Sequence, residues 1–116
     1  MTDKTNWDNS SPGKFLQKLA DTISETYEIN TRFTEYENGS ASLIVANDEG
    51  SIKIVLSEED IIIYFDDDSD KTIQARIDEN TTYSTIVYRC LSDNKCLLNP
   101  LASTITDAIL TIVITP

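Results

Sequence analysis

The sequence predicts an α+β fold: an N-terminal helix, a five-stranded antiparallel meander, and two C-terminal helices, with the helices packed on one sheet face. Two observations lead to this prediction. Apolar residues recur at helical spacing from 11 to 30, at a spacing of two from 31 to 77, and at helical spacing again after 78. Every strand connection is short, so successive strands must be antiparallel. We expect residues 1–10 to form a mobile N-terminal segment and residues 11–116 to form one domain.

The first helix has a clear start signal. Ser11 suits the N-cap and Pro12 suits the first helical position. Asn30 is expected to end the helix in a left-handed conformation. One apolar stripe connects these ends, formed by Leu16, Leu19, Ala20, Ile23 and Tyr27.

The strands follow from period-two alternation and from the turn residues between them. Asn38-Gly39 predicts a two-residue hairpin turn, and the acidic runs at 48–50, 58–60 and 66–70 predict the later turns. The five predicted strands cover residues 31–37, 40–47, 51–57, 61–65 and 71–77.

Two further apolar stripes predict the C-terminal helices. Asp78 or Asn80 is expected to cap the first, which contains Tyr83, Ile86, Val87, Cys90 and Leu91. Asn99-Pro100 starts the second, which contains Leu101, Ile105, Ala108, Ile109 and Ile112. The β-branched residues within 104–115 leave a second alternative open, a sixth strand at the sheet edge.

The charge balance limits the classes of molecule that the chain is expected to bind. Twenty acidic residues face nine basic ones, for a net charge of −11. Nucleic acid and anionic membranes are excluded as expected partners, because both require basic residues. A basic protein is the complementary partner, for example a nucleic-acid-binding protein or a toxin. The alternative is that the acids serve solubility only.

The composition also argues against an enzyme. The chain has no histidine and three glycines, so it lacks Ser-His and Cys-His pairs and phosphate-binding glycine loops. Its acids cluster in turns, where nothing predicts a raised pKa. Cys90 and Cys96 do not match a zinc motif, and Cys90 is expected to pack as a small apolar residue. We expect no cofactor, and the N-terminus, which does not resemble a signal peptide, predicts a cytoplasmic protein.

The run from Asp66 to Asp70 resembles the start of a calcium loop. Such a loop needs glycine at its sixth position and glutamate at its twelfth. Those positions hold Lys71 and Ile77, so we predict no metal site here.

Three surfaces are candidate binding sites. Turns alternate between the ends of a meander, so the acids at 48–49 and 66–70 should share one end, and those at 58–60 the other. We predict that these acids contact the partner: Asp48, Glu49, Asp66, Asp67, Asp68 and Asp70 at the first end, and Glu58, Glu59 and Asp60 at the second. The sheet face opposite the helices is more apolar than a solvent-exposed face needs to be. It is the candidate homodimer face, formed by Ile44, Val55, Ile62 and Tyr64.

Three likenesses extend this interpretation, and we assign no family on them. A small, acidic, histidine-free α+β chain resembles phage-encoded inhibitors and toxin-immunity proteins, which implies blockade of a basic site. The stretch from "FLQKLADTI" to "SIKIVLS" resembles type III secretion chaperones, although here the strands run in one block; this implies a structural homodimer. "YSTIVYRCL" and "NPLASTITDAIL" resemble the halobacterial output domain, which implies a salt-adapted signalling domain.

The leading hypothesis is therefore a non-enzymatic acidic binding protein of the anti-defence inhibitor or immunity type. The structural or chaperone-like homodimer and the salt-adapted output domain are its alternatives. The salt-adapted domain alone predicts poor folding at low salt.

Overall fold

The computed structural model describes residues 11–48, 50–65, 68–78, 81–93 and 100–114, with the backbone alone at 68–71, 100, 113 and 114. In these ranges the chain forms α1 (Pro12–Tyr27), β1 (Asn30–Glu35), β2 (Ala41–Asn47), β3 (Gly50–Leu56), β4 (Asp60–Phe65), β5 (Asp68–Arg76), α2 (Tyr83–Asp93) and α3 (Pro100–Ile114). The predicted α+β fold, with helices packed on the sheet, is confirmed. The segment 1–10, predicted to be mobile, lies outside the described residues.

Helix α1 starts as predicted. The Ser11 Oγ accepts a hydrogen bond from the backbone N–H of Lys14 at 3.1 Å, and Pro12 occupies the first turn. Gly13 is buried against the end of β1, where a Cβ atom would collide with the Glu35 carboxylate. The start of α1 therefore packs against the last residue of β1.

The predicted end of this helix is wrong. Glu28 takes the left-handed conformation, with φ of 55°, two residues before the expected position. Asn30 already belongs to β1 and pairs with Ala46, so its backbone must be extended. The earlier stop also places Ile29 against the core.

The sheet is a meander in which each strand pairs antiparallel with the next, in the order β1-β2-β3-β4-β5. Leu43, Ile54 and Ile63 form one cross-strand row, and all three are fully buried. The alternate residues of the same strands point away from the helices, as period-two alternation requires.

The first hairpin differs from its prediction. The Tyr36 N–H donates to the Ser40 carbonyl at 2.9 Å, and the Gly39 N–H donates to the Tyr36 carbonyl at 3.1 Å. The loop thus has three residues, and Gly39 takes the positive φ of 91°. Asn38 does not share this conformation, and its side-chain Oδ1 accepts from the Ser40 N–H at 3.0 Å.

Strand β5 begins earlier than the predicted residue 71. Asp68 pairs with Phe65, while Ile73 pairs with Ile63, so four residues of β5 (69–72) face one residue of β4. Asp68 and Asp70 therefore lie in a strand, and their prediction as turn residues is wrong. Such an irregularity is tolerated at an edge strand, because its outer side has no ladder to preserve.

The predicted cap of α2 is also wrong in position. The Thr82 Oγ1 accepts from the Thr85 backbone N–H at 3.2 Å, which is the capping bond. The Asp78 carbonyl closes the preceding turn by accepting from the Thr81 N–H at 2.9 Å. Asn80, the other predicted cap, lies outside the described residues.

For residues 104–114 the helical alternative is correct. The stripe predicted for α3 is buried: Leu101, Ile105, Ala108, Ile109 and Ile112. The Thr111 hydroxyl donates a hydrogen bond to the Asp107 carbonyl one turn earlier, at 3.0 Å, so it is satisfied within the helix. Burial of one continuous stripe thus prevails over the strand preference of β-branched residues.

The helices and one sheet face enclose the core. Phe15 of α1 is fully buried in this core, with its ring centroid 6.4 Å from that of Tyr83 in α2. Phe65 at the end of β4 is also buried. Among the described helices, none is both long and apolar enough to cross a membrane.

Candidate binding surfaces

We call the sheet surface turned away from the helices the open face. The structure brings the dimer-face candidates together there: Val55 lies opposite Ile62, and Lys53 lies between Ile44 and Tyr64. All of these side chains are half-buried, although no described helix covers them. The structure thus supports one apolar patch across β2, β3 and β4, while its use in dimerisation stays a prediction.

The open face also carries basic residues. Among strand residues with described side chains, Arg32, Lys53 and Arg76 occupy this face and Asp60 is its acid, paired across strands with Arg76. The Lys53 Nζ lies 5.9 Å from the centroid of the Tyr64 ring, within cation–π range. On a chain of net charge −11, this face is a local region of positive charge.

Tyr36 is a feature of the open face that the sequence analysis did not identify. Its side chain is 44% exposed, and its hydroxyl lies 3.2 Å from the Oγ of Ser42, which is 3% exposed. This contact shows that Tyr36 lies over the start of β2, on a face that no described helix covers. The only sequence signal was an aromatic residue beside a hairpin turn.

The acidic turn between β3 and β4 is built around Ser57. Its hydroxyl lies 2.9 Å from Asp60 Oδ1 and accepts from the Asp60 N–H at 3.1 Å, while its backbone N–H donates to the Asp60 carbonyl at 2.9 Å. Glu58 and Glu59 are exposed between these two residues. The Glu59 carbonyl accepts from the Ile77 N–H at 2.8 Å, which ties the turn to the end of β5. Two carboxylates thus project from a well-braced backbone.

Other acids lie at the same sheet end. Glu37 is exposed in the β1–β2 loop, and Asp78 is exposed just after Ile77. Topology places Glu37 beside the Glu58–Glu59 turn, because Ala41 at the start of β2 pairs with Leu56 at the end of β3. Asp78 is placed there by the hydrogen bond between Ile77 and Glu59. We call Glu37, Glu58, Glu59 and Asp78 the acidic end.

Removal of the Ser57 hydroxyl should loosen this turn. We expect Ser57→Ala to lower the free energy of unfolding by about 1 kcal/mol, since it removes a hydroxyl that bonds to Asp60 and to the turn backbone. Urea unfolding monitored by circular dichroism measures the change. Ser24→Ala, at an exposed helix position, is the control and should shift stability by less than about 0.5 kcal/mol. Equal effects of both variants would contradict a bracing role.

The opposite sheet end is described in part. Asp48 is exposed in the turn between Asn47 and Gly50. Phe65 pairs with Ile52, so β4 ends beside this turn, as the meander predicted. Three predicted partner-binding residues, Glu49, Asp66 and Asp67, lie outside the described residues, as do the side chains of Asp68 and Asp70.

Cys90 is a buried thiol in α2, as predicted. Burial raises the pKa of this thiol above its ordinary value; Asp93 adds to the rise and Arg89 opposes it. The thiolate, which is the reactive form, is therefore disfavoured at neutral pH. Cys96 lies outside the described residues, and within those residues no three His, Cys, Asp or Glu side chains group as metal ligands.

Comparison with known proteins identifies no relative. No protein-family model, curated protein or solved structure matches the chain. The two surfaces described above are thus the basis for any assignment of function.

Proposed function

We propose that the chain is a non-enzymatic binding protein that places its acidic end against a basic site on a macromolecular partner. The observation that supports this most is the braced turn in which Ser57 and Asp60 hold exposed Glu58 and Glu59. Carboxylates on a fixed backbone lose less conformational freedom on binding than carboxylates on a loose tail. An inhibitor or a toxin-immunity protein is the concrete form of this proposal.

Electrostatics supports the same proposal. Glu37 and Asp78 add charge to the turn, and the net charge of −11 favours encounter with a basic surface. Charges at the rim of such a complex act mainly on the association rate, and salt screens them. We therefore expect affinity to fall as the salt concentration rises.

A matched pair of charge reversals tests the proposal. The partner is first captured from a lysate of the native host with graded salt washes, identified by mass spectrometry, and purified. Its affinity is then measured by isothermal titration with Glu58→Lys/Glu59→Lys and with Asp21→Lys/Glu25→Lys, which alters two exposed acids of α1. Both variants change the net charge equally, so a difference between them reports position rather than total charge.

We expect the turn variant to weaken binding by about tenfold or more and the helix variant by less than about threefold. Equal losses would show that total charge alone matters, and unchanged affinity in the turn variant would overturn the assignment to the acidic end. Reversal of Asp66, Asp67 and Asp68 to lysine examines the opposite end in the same assay. If only that variant weakens binding, the contact lies there instead.

A further inference from the structure

The loop between β1 and β2 carries the one asparagine of the chain that is followed by glycine. Asn38 and Gly39 are both exposed there, between Glu37 and Ser40. An Asn-Gly pair can react with itself, because the backbone nitrogen of the glycine can attack the side-chain amide of the asparagine. Glycine has no side chain to obstruct this approach. The arrangement of the loop decides whether the two groups meet.

The Asn38 side chain is directed towards the nitrogen that it would meet. Its Oδ1 accepts from the Ser40 N–H at 3.0 Å, two residues further along the chain. A side chain that reaches forward in this way lies over the intervening peptide, so its Cγ is held on the side of the Gly39 nitrogen. The space around Gly39 is open, because a Cβ atom placed there would contact no described residue other than its two chain neighbours within 4 Å. A succinimide ring can therefore close without displacing the rest of the loop.

Two donors are aimed at the oxygen on which charge would develop. The Ser40 hydroxyl donates to Asn38 Oδ1 at 2.6 Å, in addition to the Ser40 N–H. Attack on Cγ converts this amide oxygen into an oxyanion, and hydrogen bonds to a charged acceptor are stronger than those to a neutral one. Both bonds should therefore stabilise the tetrahedral intermediate more than the ground state.

One interaction opposes the reaction. The Gly39 N–H donates to the Tyr36 carbonyl at 3.1 Å, and this bond must open before the nitrogen can lose its proton and attack. The bond lies in an exposed loop between the two strands, where local opening costs little. The loop thus holds the amide in place, and a single exposed hydrogen bond has to break.

We propose that Asn38 is a site of spontaneous deamidation, which adds a carboxylate beside Glu37 of the acidic end. The Gly39 nitrogen loses its proton and bonds to Asn38 Cγ, and the side-chain nitrogen leaves as ammonia with a proton from the solvent. The succinimide then takes up one water molecule. Cleavage of its Cγ–N bond gives aspartate, whereas cleavage between the nitrogen and the Asn38 backbone carbonyl carbon gives isoaspartate. The reaction does not depend on the function proposed for the acidic end.

Incubation of the full chain at neutral pH, followed by proteolysis and mass spectrometry, measures the conversion. The peptide that contains residue 38 gains the mass difference between an amide and a carboxylic acid, and an isoaspartyl methyltransferase labels the isoaspartate product. Asn47 is the internal control, because it is also exposed but precedes Asp48. We expect Asn38 to react at least about tenfold faster than Asn47, since it has an aligned and unobstructed nucleophile.

The Ser40→Ala variant tests the contribution of the loop. It removes the hydroxyl that donates to Oδ1 and keeps the Ser40 N–H, so conversion in the folded chain should slow by about fivefold. In urea the loop is lost, and both chains should react at the same rate. Ser24→Ala, which alters an exposed residue of α1, should react like the wild type in both states.

The wild-type chain decides the proposal even if Ser40→Ala does not fold, which circular dichroism shows. An Asn38 amide that persists in the folded chain but is lost in urea would overturn the proposal, because the loop would then protect the site. Conversion at Asn47 as fast as at Asn38 would overturn it as well. Equal rates for folded wild type and folded Ser40→Ala would contradict the role given to the serine hydroxyl.

Discussion

The Ile54→Glu variant is expected to be unfolded at 25 °C, whereas Val55→Glu, one residue further along β3, should keep the fold. Ile54 is fully buried between Leu43 and Ile63, while Val55 is half-buried on the open face. A carboxylate at position 54 would have to lose its water without a charged partner, which costs several kcal/mol. That cost is comparable to the whole stability of a typical domain, about 5–15 kcal/mol.

Far-ultraviolet circular dichroism and urea unfolding of both variants measure the difference. The two substitutions introduce the same carboxylate at adjacent residues of one strand, so the main difference is the side of the sheet on which it lies. A folded Ile54→Glu protein with wild-type stability would contradict the placement of the core. An unfolded Val55→Glu protein would show that the open face tolerates a carboxylate no better than the core does.

Truncation of Phe15 to alanine should lower the free energy of unfolding by about 3–5 kcal/mol. The ring is fully buried at the first turns of α1 and lies against Tyr83 of α2. Its removal leaves a cavity and also removes a ring contact between α1 and α2, which are far apart in the chain. The cost should therefore exceed the transfer energy of the ring alone.

Thermal and urea unfolding measure this loss, with Leu110→Ala as the control because its side chain is 42% exposed. That control should change stability by no more than about 0.5 kcal/mol. A loss of less than about 1 kcal/mol for Phe15→Ala would mean that the site collapses around the missing ring. It would also argue against α1 and α2 acting as one packed unit.

Much of the fold is predictable from local patterns. Ser11-Pro12 predicts the start of α1, and the alternation around Ile52, Ile54 and Leu56 predicts β3 and the side of it that is buried. These signals hold because capping and period-two burial depend on neighbouring residues only. The same alternation placed Val55 on the open face.

The errors arise where tertiary packing selects among local alternatives. Asn30 is a good helix terminator, but pairing with Ala46 makes it a strand residue and moves the stop to Glu28. Asn38-Gly39 is typical of a two-residue turn, yet the loop has three residues, and the Asn38 side chain accepts from the Ser40 N–H within it. No local pattern separates these outcomes.

The candidate surfaces were predictable to different degrees. The apolar patch of the open face followed from alternation, because strand side chains must point to one side or the other. The bracing of Glu58 and Glu59 by Ser57 did not follow, since a serine beside an acidic run has many alternative partners. The contact between Tyr36 and Ser42 joins a loop to a strand and required the three-dimensional arrangement.

The order of the strands has a consequence for how the protein folds. Each strand pairs with its predecessor in the chain, so the sheet can assemble through local hairpins, which favours rapid formation of contacts. Helix α3 is the exception, because this late element packs against α1, the first one described. Closure of the core therefore waits for α3. During synthesis on the ribosome, the part of the sheet that α3 covers, at β3, would remain open to chaperones until α3 emerges.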